Sequence, residues 1–232
     1  MLLFWLIVAG LVTELPGAIA LLILPLLLVA FIALHVLARR PTTIELSRLS
    51  PPSIKVLVQF GIPISLLLVT GDIFWLIAED RLNQESDPLP LATILAFVTL
   101  FPLVEEFGFR LWVQTPLERK LGGGVSVFLV ALLFALFHDA SFPLPQLIAG
   151  LGFGVALIMT GSIWVPVVMH VFQNMLLVFL GGMPVVQSWA VSLAENEANW
   201  VPVASAACWG SALLFLVTWY RYHRTNPVQT SS

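Results

Sequence analysis

Adjacent Glu105 and Glu106, an arginine four residues on at Arg110, two histidines at His138 and His170, and an amide at Asn174 all interrupt apolar stretches of this chain. Carboxylates, imidazoles and carboxamides are groups that move protons at neutral pH and stabilise an oxyanion. A charge at mid-membrane costs about 2.5–3.5 kcal/mol on insertion scales, so an ionisable residue there is a functional candidate. Acid, imidazoles and amide together read as a hydrolytic site inside a membrane.

Spacing divides the labour. Neighbouring helix residues point roughly 100° apart, whereas residues four apart share a face. Glu106 therefore pairs with Arg110, and Glu105 is left free to act as a general base. Phe134 with His138, and His170 with Asn174, are each four apart, so each pair projects from one face of its helix. The plainer readings are a purely structural Glu106–Arg110 pair, core histidines bonded to backbone carbonyls, Asn174 as glue between helices and Phe134 as packing. Asp139 reads as a solvated acid at a helix end, and His35 and His223 as interfacial. Trp75, Trp164, Trp200 and Trp219 fall near span ends, where tryptophan anchors at the interface.

Composition sets the medium. Of 232 residues, 59% are hydrophobic and 10% charged, against about 25% charged in soluble domains. The net charge of -3 identifies no partner, and without a basic stripe interleaved with aromatics nucleic acid is excluded as one. One cysteine, Cys208, permits neither an internal disulfide nor a cysteine metal cluster. Ala18-Ile19-Ala20 mimics a signal-cleavage site, but no Lys or Arg precedes it and the apolar run continues through Leu37, so the segment is read as membrane helix. The last residues hold no cysteine for prenylation of the chain itself.

A spanning helix takes about 20 apolar residues. That ruler predicts an all-α, polytopic transmembrane helix bundle of about seven to eight spans, near residues 16–38, 56–78, 91–115, 125–139, 143–160, 163–180 and 200–219. Met1–Val12 is too short for a full span. Residues 1–90 are read as N-terminal transmembrane helices, 91–180 as the catalytic core, and 181–232 as a loop, a last span and a tail. Pro25, Pro63, Pro102 and Pro166 fall inside spans, where membrane helices tolerate them. Gly150, Gly152 and Gly154, with Gly161 beyond, give one span a smooth face for close packing. Gly122-Gly123-Gly124 lacks a phosphate-loop context and is a turn.

Lys and Arg concentrate on alternate connections: Arg39, Arg40, Arg48, Lys55, Arg119, Lys120, Arg221 and Arg224 on one side, Arg81 alone on the other. The basic side, and the C-terminus with it, is expected in the cytoplasm, and the cavity is expected to open there. At about 1.5 Å per residue, the polar groups of three helices running in alternating directions fall in one layer. The short loops point to a prokaryotic inner membrane.

These residues resemble the CPBP family of intramembrane proteases, which includes CAAX prenyl proteases and bacteriocin-immunity-type (Abi) proteins. Its Glu-Glu-x-x-x-Arg, Phe-x-x-x-His and His-x-x-x-Asn motifs match Glu105-Glu106 with Arg110, Phe134 with His138, and His170 with Asn174, in order, over roughly residues 90–180. The resemblance implies peptide-bond hydrolysis on a membrane-embedded or lipidated peptide. Glu105 and His138 would activate water, His170 and Asn174 would hold the oxyanion, and Glu106 with Arg110 would fix the acid-bearing helix. No cofactor is favoured; a zinc-dependent variant would use Glu105, His138 and His170, although no His-Glu-x-x-His is present. A non-hydrolytic partner-binding protein of the same fold and a small proton-coupled transporter are the alternatives, the latter without visible inverted repeats.

Overall fold

The computed structural model describes residues 47–78, 91–138, 144–195 and 200–225. They are helical almost throughout, and no strand occurs among the described residues. Helix α1 covers residues 54–78 and α2 residues 91–121; α3 is Gly123–His138, α4 Leu144–Thr160, α5 Trp164–Gly181, α6 Pro184–Glu195 and α7 Val201–Thr225. The all-α expectation is met. The expected span at 16–38, Met1–Val12, Pro25, His35 and Asp139 lie outside the described residues.

Prolines shape these helices in two ways. The turns widen to π geometry at Leu57–Gly61 in α1 and at Ala96–Leu100 and Phe107–Gln114 in α2. Each widened stretch ends two residues before a proline, namely Pro63, Pro102 and Pro116. A proline offers no N–H to the carbonyl four residues back and its ring crowds that carbonyl, so pairing shifts to the longer i→i+5 register. Thr115 closes the last of these turns, donating both its backbone N–H and its hydroxyl (2.9 Å) to the Arg110 carbonyl. Pro145, Pro166, Pro184 and Pro202 instead occupy first turns, where no intrahelical donor is needed. Pro166 thus opens α5 rather than interrupting it.

Two helices, Ile54–Ile77 and Trp164–Gly181, are long and apolar enough to cross a membrane. Gly123–His138, Leu144–Thr160 and Val201–Phe215 are apolar but shorter; the 16 residues of α3 rise only about 24 Å. The helices are apolar on both their inner and outer faces: Leu66, Phe128, Leu136, Phe179 and Leu214 are exposed, while Phe60, Ile64, Leu68, Phe153 and Met169 fill the centre. A soluble bundle would carry polar residues outside. Residues 184–195, expected within a loop, form α6 instead. Its polar residues lower its hydropathy below the span threshold, yet Pro184 starts it and Leu193 packs against Ile77 and Val201. The last helix also runs past the expected end at 219, to Thr225.

The glycine face falls where expected. A Cβ on Gly150 would lie 3.1 Å from the Ala131 Cα, so α3 and α4 abut backbone to backbone there. Gly161 differs: it sits beyond α4 at φ +66°, a turn conformation that spares the cost of a side chain. Gly150→Leu is expected to destabilise the fold by about 1–3 kcal/mol through overpacking. Thermal inactivation in detergent checks this; an unchanged midpoint would mean that the two helices do not touch at that point.

Candidate active site

Glu105 and Glu106 lie at the C-terminal end of the Phe101–Glu106 segment of α2, just before the wide turn that carries Arg110. Glu106 and Arg110 are both fully buried, and Arg110 Nε donates to Glu106 Oε2 at 3.0 Å. The second oxygen of Glu106 is used as well: His170 Nδ1 donates to Oε1 at 3.0 Å. Glu106 therefore ties α2 to α5, and it fixes a ring as well as an arginine. Arg110 continues the chain of contacts through Gln114, whose Oε1 accepts from Nη1 at 3.4 Å and whose Nε2 donates to the Gly154 carbonyl of α4 at 2.9 Å. Its guanidinium also stands 5.4 Å from the centre of the Phe134 ring, within cation–π range.

Glu105 faces the other way, as the 100° step requires. Its Oε2 lies 3.3 Å from His138 Nε2 and 3.8 Å from His170 Nε2. His138 Nδ1 is 2.8 Å from the Phe134 carbonyl. A carbonyl only accepts, so Nδ1 carries a proton, and any direct bond between Nε2 and Glu105 needs one further proton held between them. Carboxylate and imidazole thus form a unit that can take a proton from water and return it. Phe134 packs against both rings, with centroids 4.2 Å from His138 and 5.8 Å from His170, and Phe153 stacks on His170 at 4.8 Å. The aromatic walls lock the imidazoles in place.

Glu105, Phe134, His138, His170 and Asn174 all line one cavity of about 420 Å³. Glu106 and Arg110 sit behind its wall. Asn174 Nδ2 donates to the Phe97 carbonyl at 3.0 Å, which leaves its second amide N–H for another acceptor. The carboxylate, two imidazoles and carboxamide expected to converge do so in space.

Three features of the site escaped the sequence reading. His170 is held by Glu106, and Gln114 links Arg110 to α4. A second polar cluster also lines the cavity, where Asp72 of α1 accepts from Gln173 Nε2 at 2.6 Å and from Trp209 Nε1 at 3.2 Å. The first two leave no mark in the sequence, but Asp72 is the lone ionisable residue of residues 56–78 and the cost of intramembrane charge singles it out. Trp75, expected as an interface anchor, lines the cavity and packs on Trp209 with centroids 5.5 Å apart. Trp164 does sit at a helix end, its Nε1 donating to the Leu49 carbonyl at 2.8 Å.

The zinc alternative rests on Glu105, His138 and His170, of which the Glu105–His138 separation of 3.3 Å matches a tetrahedral ligand pair and the Glu105–His170 separation is longer. Among the described residues no group of three or more His, Cys, Asp or Glu side chains could hold a metal ion. Ligands at 2.0–2.2 Å around a tetrahedral zinc stand about 3.4 Å apart, and the 3.8 Å between Glu105 Oε2 and His170 Nε2 is wider.

A family model described as Type II CAAX prenyl endopeptidase Rce1-like matches residues 87–176. Across this segment, less than half of the chain, the sequence is similar to that protease family. The match takes in Glu105 through Asn174 and leaves out α1, α6 and α7, so Asp72 and Trp209 come from elements beyond it. No curated protein and no solved structure matches the chain.

The cavity lies at one end of the bundle. Its lining comes from the C-terminal ends of α1 and α3 and from residues 97–105 of α2, 145–153 of α4 and 170–177 of α5. At the opposite end Arg48 donates to Thr115 Oγ1 at 2.8 Å and to Glu118 Oε2 at 2.7 Å, while Ile163 N–H donates to the Arg48 carbonyl at 2.9 Å. Arg48, Lys55, Arg119 and Lys120 thus cluster away from the cavity. The opening was expected on the side of the basic connections; among the described residues the cavity lining lies away from Arg48, Arg119 and Lys120.

Proposed function

We propose that the chain is an intramembrane endopeptidase in which Glu105 and His138 activate water while His170 and Asn174 receive the oxyanion. The observation that carries this reading is the convergence of the Glu105 carboxylate on two imidazole nitrogens in one cavity. Water entering between Glu105 and His138 gives up a proton to that pair as its oxygen attacks the scissile carbonyl carbon. The carbonyl π electrons move onto oxygen, where the free N–H of Asn174 and the Nε2–H of a His170 that enters the cycle as imidazolium, its Nδ1–H held by Glu106, meet the charge. Each such donor contributes about 2.7–4 kcal/mol. As the carbon–nitrogen bond breaks, the proton held by Glu105 and His138 passes to the leaving amine. Glu106 acts behind the site by fixing the orientation of His170.

The substrate is a membrane-embedded or lipidated peptide, consistent with a wall of Trp75, Leu76, Phe97, Phe101 and Leu177. The protein is a multi-pass bundle in a prokaryotic inner membrane, built of residues 1–90, 91–180 and 181–232 as N-terminal helices, catalytic core and C-terminal part. The excess of Lys and Arg on one set of connections supports a cytoplasmic C-terminus, and with that orientation the cavity lies in the outer half of the bilayer.

Comparative proteomics of membrane fractions from cells with the wild-type protein or Glu105→Ala tests the assignment. The expected result is a membrane peptide whose C-terminal fragment disappears in the variant at unchanged abundance of the protein. An identical set of fragments, with the phenotype intact, would favour a binding-only scaffold.

A further inference from the structure

We propose that Asp72, Gln173 and Gln146 form a subsite for a cationic side chain of the peptide substrate, which rests on the endopeptidase reading for the nature of the ligand. Asp72 and Gln173 are 6% and 5% exposed, and with Gln146 they line the same cavity as Glu105 and His138. Both donors to Asp72, the Gln173 amide and the Trp209 indole, are neutral. Among the described residues no cation contacts it. A carboxylate accepts about four hydrogen bonds, and buried charges are as a rule paired. Among the described residues Asp72 therefore has two neutral donors, room for further bonds and no counter-charge.

The amides point to the same missing group. Gln173 Oε1 and Gln146 Oε1 are buried without a hydrogen-bond partner. With Asp72 ionised, turning Gln173 over would set its oxygen against the carboxylate, so the bond observed is the favourable one. Two amide oxygens, from α4 and α5, thus lack a donor beside an α1 carboxylate whose two donors are both neutral. Trp75, on the same wall, adds an aromatic face suited to a cation. An ammonium supplies three donors and a positive charge, and a lysine side chain supplies them at the end of an apolar stem. Gln173 is one helical turn from His170, about 5–6 Å between Cβ atoms. An extended peptide advances about 3.3 Å per residue, so the cationic residue falls within two positions or so of the scissile bond.

The test uses the full-length protein in nanodiscs with Glu105→Ala to prevent turnover. Apolar hexapeptides, acetylated and amidated, carry a single Lys or norleucine at each position in turn, and binding is read by thermophoresis. One position is expected to favour Lys over norleucine about tenfold, and Asp72→Asn to reduce that preference to within about twofold. Gln146→Met removes an acceptor from the first turn of α4 without touching the Asp72 bonds, and should cut the preference about threefold; it decides the matter if the Asp72 variant does not fold. Absence of any Lys preference, or its persistence in the variants, overturns the subsite. Hydrolysis of the same peptides by wild type is scored separately. Lys preference without cleavage would count against the endopeptidase reading alone, and cleavage without preference against the subsite alone.

Discussion

Glu105→Gln is expected to lower kcat on a cleaved peptide by about 10²–10⁴-fold, the usual contribution of a positioned general base, while leaving the fold at least as stable as wild type. The two halves of this prediction separate a chemical role from a structural one. Glu105 is 22% exposed to the cavity and shares Oε2 with two imidazoles; its amide isostere keeps shape and packing but cannot take a proton. Because carboxylate and imidazole act as a unit, Glu105→Gln combined with His138→Gln should be hardly worse than either change alone. Asn174→Ala should cost about 10²–10³-fold, as loss of one oxyanion donor does. Single-turnover kinetics in proteoliposomes and thermal inactivation in detergent supply the measurements. A Glu105→Gln enzyme with near-normal kcat would end the general-base assignment, and a markedly destabilised one would make Glu105 part of the framework.

How far the sequence could be read depended on which physical rule marked each feature. Charges in apolar stretches are conspicuous because their burial is costly, so Glu105, Glu106, Arg110, His138 and His170 stood out, and i,i+4 periodicity correctly joined Glu106 to Arg110. Helix positions followed from hydropathy, α3 and α4 included, except where a helix was short and mixed in composition, as in α6. Contacts between distant helices leave no periodic trace. The second bond of Glu106 to His170, the Gln114 relay to Gly154 and the union of Asp72, Gln173 and Trp209 depend on which faces meet, and only three-dimensional packing decides that. Neutral Gln114 and Gln173 cost too little in a hydropathy profile to draw notice. The position of the cavity was hidden for a related reason. Loop charge orients the bundle as a whole, whereas the cavity lies where particular helices meet, here near Trp75, His138 and Gln146.

Arg110→Met is expected to destabilise the protein by about 3–5 kcal/mol, the cost of leaving a buried charge without its partner. Glu106 is fully buried between Arg110 and His170, and Arg110 Nη2 already has no hydrogen-bond partner in the interior. The ion pair has little slack, so Glu106→Leu, which strands the guanidinium, should do comparable damage. The double variant Glu106→Leu with Arg110→Met removes both charges and substitutes apolar volume, and its stability should return to near that of wild type, since apolar replacements of buried pairs are often neutral or better. Its activity should not return. Without the Glu106 carboxylate the His170 ring loses the bond that sets its orientation, and kcat should fall to the level of a His170→Ala variant. Denaturation midpoints and single-turnover rates on all four proteins test the pair and its second duty together. Double-variant stability no better than that of the single variants would deny the coupling, whereas full activity in the double variant would mean that His170 is held by the stacked Phe153 and the neighbouring Phe134 rather than by Glu106.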